Sequence, residues 1–65
     1  MQPELTDKNV RAIVTDTRGN QYYATVLPVY CVGSRVEFYG YPAGGDLRET
    51  RRFVVTYRVV EEVRP

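Results

Sequence analysis

Residues 53–63, with the sequence FVVTYRVVEEV, form the longest apolar segment of this 65-residue chain. Phe53, Val55 and Tyr57 fall on one face of this segment and Val54 falls on the other, which is the two-residue period of a β-strand. Both faces of the segment are largely apolar, unlike those of a strand with one side in water. We therefore predict a long strand that bends, pairing with one neighbour early and with another late.

Three earlier segments, residues 9–16, 21–27 and 35–41, have the same alternation. Residues 29–32 are also apolar, and we expect them to pack against the other strands as a crossing segment or a bent continuation. Eleven Val and six Tyr dominate the composition, and both residue types favour strands. The sequence therefore predicts an all-β chain.

Turn-forming residues separate these segments. Asp16-Thr17-Arg18-Gly19 is typical of a tight hairpin turn, with Gly19-Asn20 as the competing central pair. Gly33-Ser34 indicates a second turn. Gly40, inside a strand segment, indicates a bulge or the close approach of another backbone.

The longest break in the pattern is the Gly-rich segment 42–46, which is followed by charged residues. Asp46 and Glu49 have the spacing of a capping box, which favours a single helical turn over residues 46–50. An extended hairpin arm with a mobile tip is the alternative.

A single small sheet would leave one apolar face in water, whereas closure into a barrel buries that face and removes exposed edges. We therefore predict one all-β domain over residues 1–65, a small SH3-like barrel or a strongly curled antiparallel meander of four to five strands. The predicted core consists of Val10, Ala12, Val14, Tyr23, Leu27, Val36, Phe38, Phe53, Val55, Tyr57 and Val59.

Composition excludes several kinds of chemistry. The chain has no His and a single Cys, so His-assisted catalysis, zinc-finger sites and intrachain disulfides are ruled out. Cys31 lies in an apolar run, and we expect it to be a buried structural residue. The acidic residues show no spacing typical of a metal site or of paired catalytic carboxylates. We therefore expect a non-catalytic protein without cofactor or metal, located in the cytoplasm because cysteine is scarce and the N-terminus lacks the pattern of a signal peptide.

One group of aromatic and basic residues is a candidate binding surface. Five of the eight Arg lie between residues 35 and 58, together with two Tyr on the outward side of a predicted strand. If the two strands of this region form a hairpin, we expect these side chains to meet on one surface. The candidate binding residues are Arg35, Tyr39, Tyr41, Arg48, Arg51, Arg52 and Arg58.

Three roles for this surface remain open. Tyr and Arg are enriched at protein interfaces, they bind single-stranded nucleic acid by stacking and phosphate contacts, and they also cover apolar neighbours structurally. The net charge of +1 disfavours a purely electrostatic nucleic-acid binder. Ile13, Val26, Val54 and Val60 fall opposite the predicted core, which favours a protein partner. We therefore predict an adaptor or inhibitor that binds a larger protein or complex and self-associates, with nucleic-acid binding as the alternative and no membrane partner.

Overall fold

The computed structural model describes residues 10–63, which form five β-strands and one short 3₁₀ helix. The strands are β1 Ala12–Asp16, β2 Gln21–Ala24, β3 Tyr30–Val32, β4 Arg35–Pro42 and β5 Arg51–Glu62, and the 3₁₀ helix is Leu47–Glu49. All strand pairs are antiparallel, in the order β2-β1-β5-β4-β3, and β2 also pairs with β4. Strands β1, β2, β4 and β5 therefore close into a barrel, with β3 as an extra strand beside β4. The prediction of a small all-β barrel is confirmed.

Strand β5 is shared between the two halves of the barrel. Its first half, from Arg51 to Thr56, pairs with β4, and its second half, from Tyr57 to Glu62, pairs with β1. The predicted change of neighbour along this strand is confirmed. In the described residues no helix is long and apolar enough to cross a membrane.

A β-bulge in β5 changes which of its residues face inward. Thr15 pairs with Val59 and Asp16 with Tyr57, so Arg58 is the extra residue between these pairs. Beyond the bulge the alternation is reversed, and Val60 packs against the interior whereas Val59 is 47% exposed. The prediction that Val59 belongs to the core was therefore wrong.

Buried apolar residues form two clusters rather than the single core predicted. Phe38 and Phe53 stack in the barrel interior with their ring centroids 5.5 Å apart. Fully buried neighbours surround them, and half-buried residues such as Val55 and Tyr57 pack against them. The interior cluster consists of Ala12, Val14, Ala24, Val36, Phe38 and Phe53, and the second cluster consists of Val10, Ile13, Tyr23 and Tyr41.

Strand β2 is shorter than expected, and its inward face is the opposite one. It ends at Ala24, so Leu27 lies outside it and is 39% exposed instead of buried. Ala24 and the half-buried Tyr22 pack in the interior, whereas Tyr23 belongs to the second cluster. Across the barrel seam, a Cβ on Gly40 would overlap the Tyr23 carbonyl oxygen. The predicted close approach at Gly40 is confirmed, and Ala24 is its partner in the β2–β4 register.

The turns follow the sequence closely. The Gly19 N–H donates to the Asp16 carbonyl over 3.0 Å, and Gly19 has a φ of +91°, so the first of the two turn registers is correct. Gly33 has a φ of +61° in the β3–β4 turn. The Asp46 side chain accepts from the Arg48 N–H while the Glu49 side chain accepts from the Asp46 N–H, which confirms the predicted capping box.

Candidate functional site

Strands β3, β4 and β5 lie side by side and present one surface on the outside of the barrel. Residues directly opposite each other in antiparallel strands project to the same face. Tyr30 pairs with Glu37 and Glu37 with Val54, while Tyr39 pairs with Arg52. We call this surface the outer face and define it as Tyr30, Val32, Arg35, Glu37, Tyr39, Arg52 and Val54.

The outer face exposes a large amount of apolar surface. Val32 is 76% exposed, Tyr30 is 63% exposed, and Tyr39 and Val54 are each 55% exposed. The outer-face side chains of β4 and β5 cannot turn into the barrel, because they alternate along their strands with the interior residues Val36, Phe38 and Phe53. Several large apolar side chains exposed on one face are characteristic of interaction sites.

The segment after β2 adds a wall to this surface. Val26, Leu27 and Pro28 face Tyr30 and Tyr39 across a cleft of about 290 Å³. A shallower depression of about 160 Å³ continues past Tyr30 towards Val32, Arg35 and Val54. Tyr30 and Glu37 line both concavities, so the two depressions adjoin each other on the outer face.

An ion pair lines the first of these depressions. The Arg52 guanidinium binds the Glu37 carboxylate, and both side chains are partly exposed. This pair leaves Arg35 as the one unbalanced charge among the seven outer-face residues. The surface is therefore mainly apolar, with a polar centre and a weak positive charge at one end.

The structure brings three of the seven sequence-predicted site residues together, namely Arg35, Tyr39 and Arg52. Tyr41 is 5% exposed, because β4 turns towards β2 at this point and Tyr23 packs edge-on against Tyr41 with a centroid distance of 5.5 Å. The expectation of an exposed Tyr41 is therefore corrected.

The other three predicted residues lie elsewhere on the molecule. Arg48 is on the 3₁₀ helix and forms an ion pair with Asp46 at 3.0 Å. Arg51 alternates with Arg52, so its guanidinium lies on the inward side, 4.1 Å above the Phe53 ring. Arg58 is the bulge residue in the half of β5 that pairs with β1. The basic residues are thus spread over several sides of the barrel.

Sequence reasoning missed the contribution of β3. Its residues 30–32 were expected to pack, but all three are exposed. Cys31, expected to be buried, is also exposed, and the hydrogen bond that the Tyr57 hydroxyl donates to the Cys31 sulfur raises the pKa of Tyr57. The sequence did contain a signal for an exposed hairpin strand. It is the apolar segment that is followed directly by a Gly-Ser turn and a further strand.

The four apolar residues expected opposite the core have different environments. Val26 and Val54 are exposed at 56% and 55%, as the sequence predicted. Ile13 is buried in the second cluster, and Val60 is half-buried against the interior because of the bulge. The exposed pair belongs to the outer face and its flanking wall.

A separate polar cleft lies at the β1–β2 turn. Asp16 is buried there and accepts from the Arg18 and Asn20 N–H groups at 2.9 Å and from the Tyr22 hydroxyl at 3.0 Å. Burial raises the pKa of Asp16, but the hydrogen bonds from Asn20, Tyr22 and Arg18 outweigh this effect and lower the pKa below its ordinary value. Within residues 10–63, no three Cys, Asp or Glu side chains converge on a possible metal position. The hydrogen bonds of Asp16 stabilise the β1–β2 turn, and this structural role explains the cluster of polar groups.

Comparison of the chain with protein-family models, curated proteins and solved structures found no match.

Proposed function

We propose that this chain is a non-catalytic protein-binding module, an adaptor or inhibitor, that contacts a larger protein or complex through the outer face. The observation that carries this proposal is the exposure of Tyr30, Val32, Tyr39 and Val54 on one side of the barrel. Aromatic and Arg side chains are enriched at protein interfaces, and the outer face combines both with two adjoining depressions.

The charge distribution favours a protein partner over nucleic acid. A nucleic-acid surface needs several unpaired cations along a backbone track. On the outer face Arg52 is paired with Glu37, and Arg48 is paired with Asp46 on another part of the barrel. Tyr41 is buried and supplies no ring for base stacking. The predicted cytoplasmic location stays a prediction that rests on the scarcity of cysteine.

Strand β5 offers a matched pair of variants to test the proposal. Val54 and Val59 are similarly exposed, at 55% and 47%, but Val54 lies on the outer face whereas Val59 pairs with Thr15 of β1. Val54→Arg places a charge in the middle of the apolar surface, and Val59→Arg makes the same change outside it. We expect Val54→Arg to reduce partner capture about tenfold or more, and Val59→Arg to leave it unchanged.

The measurement is affinity capture from native lysate with wild-type protein and both variants, with and without nuclease and over a range of salt. A stoichiometric protein that survives nuclease and high salt, and that is lost with Val54→Arg alone, is the expected result. Nuclease sensitivity, or a steep fall in capture with salt, would instead indicate nucleic acid. Equal capture by both variants would place the interface elsewhere.

A further inference from the structure

Strand β3 is an open edge of the sheet. Within the described residues it pairs with β4 alone. Proteins usually protect such edges with charged side chains, Pro or a bulge, and β3 consists of Tyr30, Cys31 and Val32, all exposed. Within residues 10–63 its only protection is its short length, so the edge is suited to pairing with another strand.

The hairpin geometry shows which backbone groups this edge offers. Val32 and Arg35 flank the two-residue Gly33-Ser34 turn and therefore form a hydrogen-bonded pair. Because such pairs alternate along an antiparallel ladder, Cys31 directs its N–H and C=O away from β4. The hydrogen bond from the Tyr57 N–H to the Ser34 carbonyl, 3.0 Å long, is consistent with this alternation. It indicates that the even-numbered residues on the β4 side of this hairpin direct their backbone groups towards β5.

We propose that β3 pairs antiparallel with β3 of a second copy of this chain, about a two-fold axis at Cys31. Each Cys31 then exchanges two backbone hydrogen bonds with the partner's Cys31, and Tyr30 lies opposite the partner's Val32. Aromatic residues opposite β-branched residues are favourable cross-strand pairs. The sheet continues from one barrel into the other, and the two outer faces become one surface.

Charge supports a second copy in this orientation. In β4, Glu37 is the neighbour of Tyr30, and Arg35 is the neighbour of Val32. Because Glu37 is already paired with Arg52, Arg35 carries the unbalanced charge of each outer face. The two-fold axis places the two Arg35 residues in different cross-strand rows, whereas a parallel arrangement would place them in the same row. The self-pairing does not depend on the proposed heterologous partner.

Cys31→Pro tests this pairing selectively. Proline removes the outward N–H of residue 31 but no hydrogen bond to β4, and prolines are found at such edge positions. Cys31→Ala keeps the N–H and serves as the matched control. Mass measurements by analytical ultracentrifugation over a concentration series should show a reversible wild-type and Cys31→Ala dimer, with association about tenfold or more weaker in Cys31→Pro. The short strand predicts a weak dimer, visible at high protein concentration.

A cross-linking experiment covers the case in which Cys31→Pro does not fold. A short bismaleimide should join two wild-type copies through Cys31, whereas a Cys31→Ala, Val59→Cys protein with one exposed thiol elsewhere should give only background cross-linking. A wild-type chain that stays monomeric at millimolar concentration would overturn the proposal. So would a folded Cys31→Pro protein that associates like wild type, or equal cross-linking through residue 59.

Discussion

Asp16 shows how a single residue connects a turn to the barrel. Its carboxylate accepts four hydrogen bonds, from the Arg18 N–H, the Asn20 N–H and side-chain amide, and the Tyr22 hydroxyl. Tyr22 in turn packs against Phe38 and Phe53, with centroid distances of 5.9 and 5.3 Å. The turn is therefore fixed both by local hydrogen bonds and by the packing of the barrel interior.

The lowered pKa of Asp16 gives a pH-dependent contribution to stability. A carboxyl group with a lower pKa in the folded than in the unfolded state stabilises the fold above the unfolded pKa, and this contribution is lost as pH falls through the folded pKa. In Asp16→Asn we expect lower stability at pH about 6, and a gap to wild type that narrows towards pH about 2. Urea unfolding across this range measures the gap.

Asp46, whose pKa is also lowered by hydrogen bonds from Arg48, is present in both proteins, so its contribution cancels in the comparison. A gap between wild type and Asp16→Asn that stays constant from neutral to acid pH would show that the charge of Asp16 is not what stabilises the turn.

At the scale of elements, alternation and turn residues were sufficient to predict much of the barrel. The period of residues 35–41 correctly placed Val36 and Phe38 inside, and the turns at Gly19 and Gly33 were located correctly. The two-sided apolar pattern of residues 53–63 correctly indicated a strand with two neighbours. These features are local, so the sequence contains them directly.

Features that depend on the neighbouring strand were not predictable in this way. The bulge at Arg58 arises from the register between β5 and β1, and nothing in the alternation of residues 53–63 marks it. The burial of Tyr41 depends on Tyr23 across the β2–β4 pair. The exposure of Tyr30 depends on its place on the outer face, which no other described element covers.

The two Val positions 14 and 59 test these strand assignments. Val14 is fully buried in the interior, whereas Val59 lies beyond the bulge and is 47% exposed. We expect Val14→Ala to lower the free energy of unfolding by about 1–3 kcal/mol, since it leaves a cavity. Val59→Ala should cost less than about 1 kcal/mol, the range of strand propensity alone. Chemical denaturation of both variants measures the difference, and equal losses would contradict the bulged register.

At the scale of the molecule, small size explains why an apolar surface remains outside. A domain of this length buries only about 60% of its unfolded surface. Here the inward residues of the barrel strands pack in the interior cluster, and Ile13, Tyr23 and Tyr41 pack in the second cluster. The outer face has no further layer of described residues over it, and its large apolar side chains are available for a partner.

The most direct test of this account is a map of where the captured partner protects the chain. Amide hydrogen exchange of the free protein and of its complex measures this protection residue by residue. The account predicts slower exchange in the complex at residues 26–32, 35–39 and 52–54, with no change in the half of β5 that pairs with β1. Protection confined to that half of β5 and to β1, with the outer face unchanged, would contradict it.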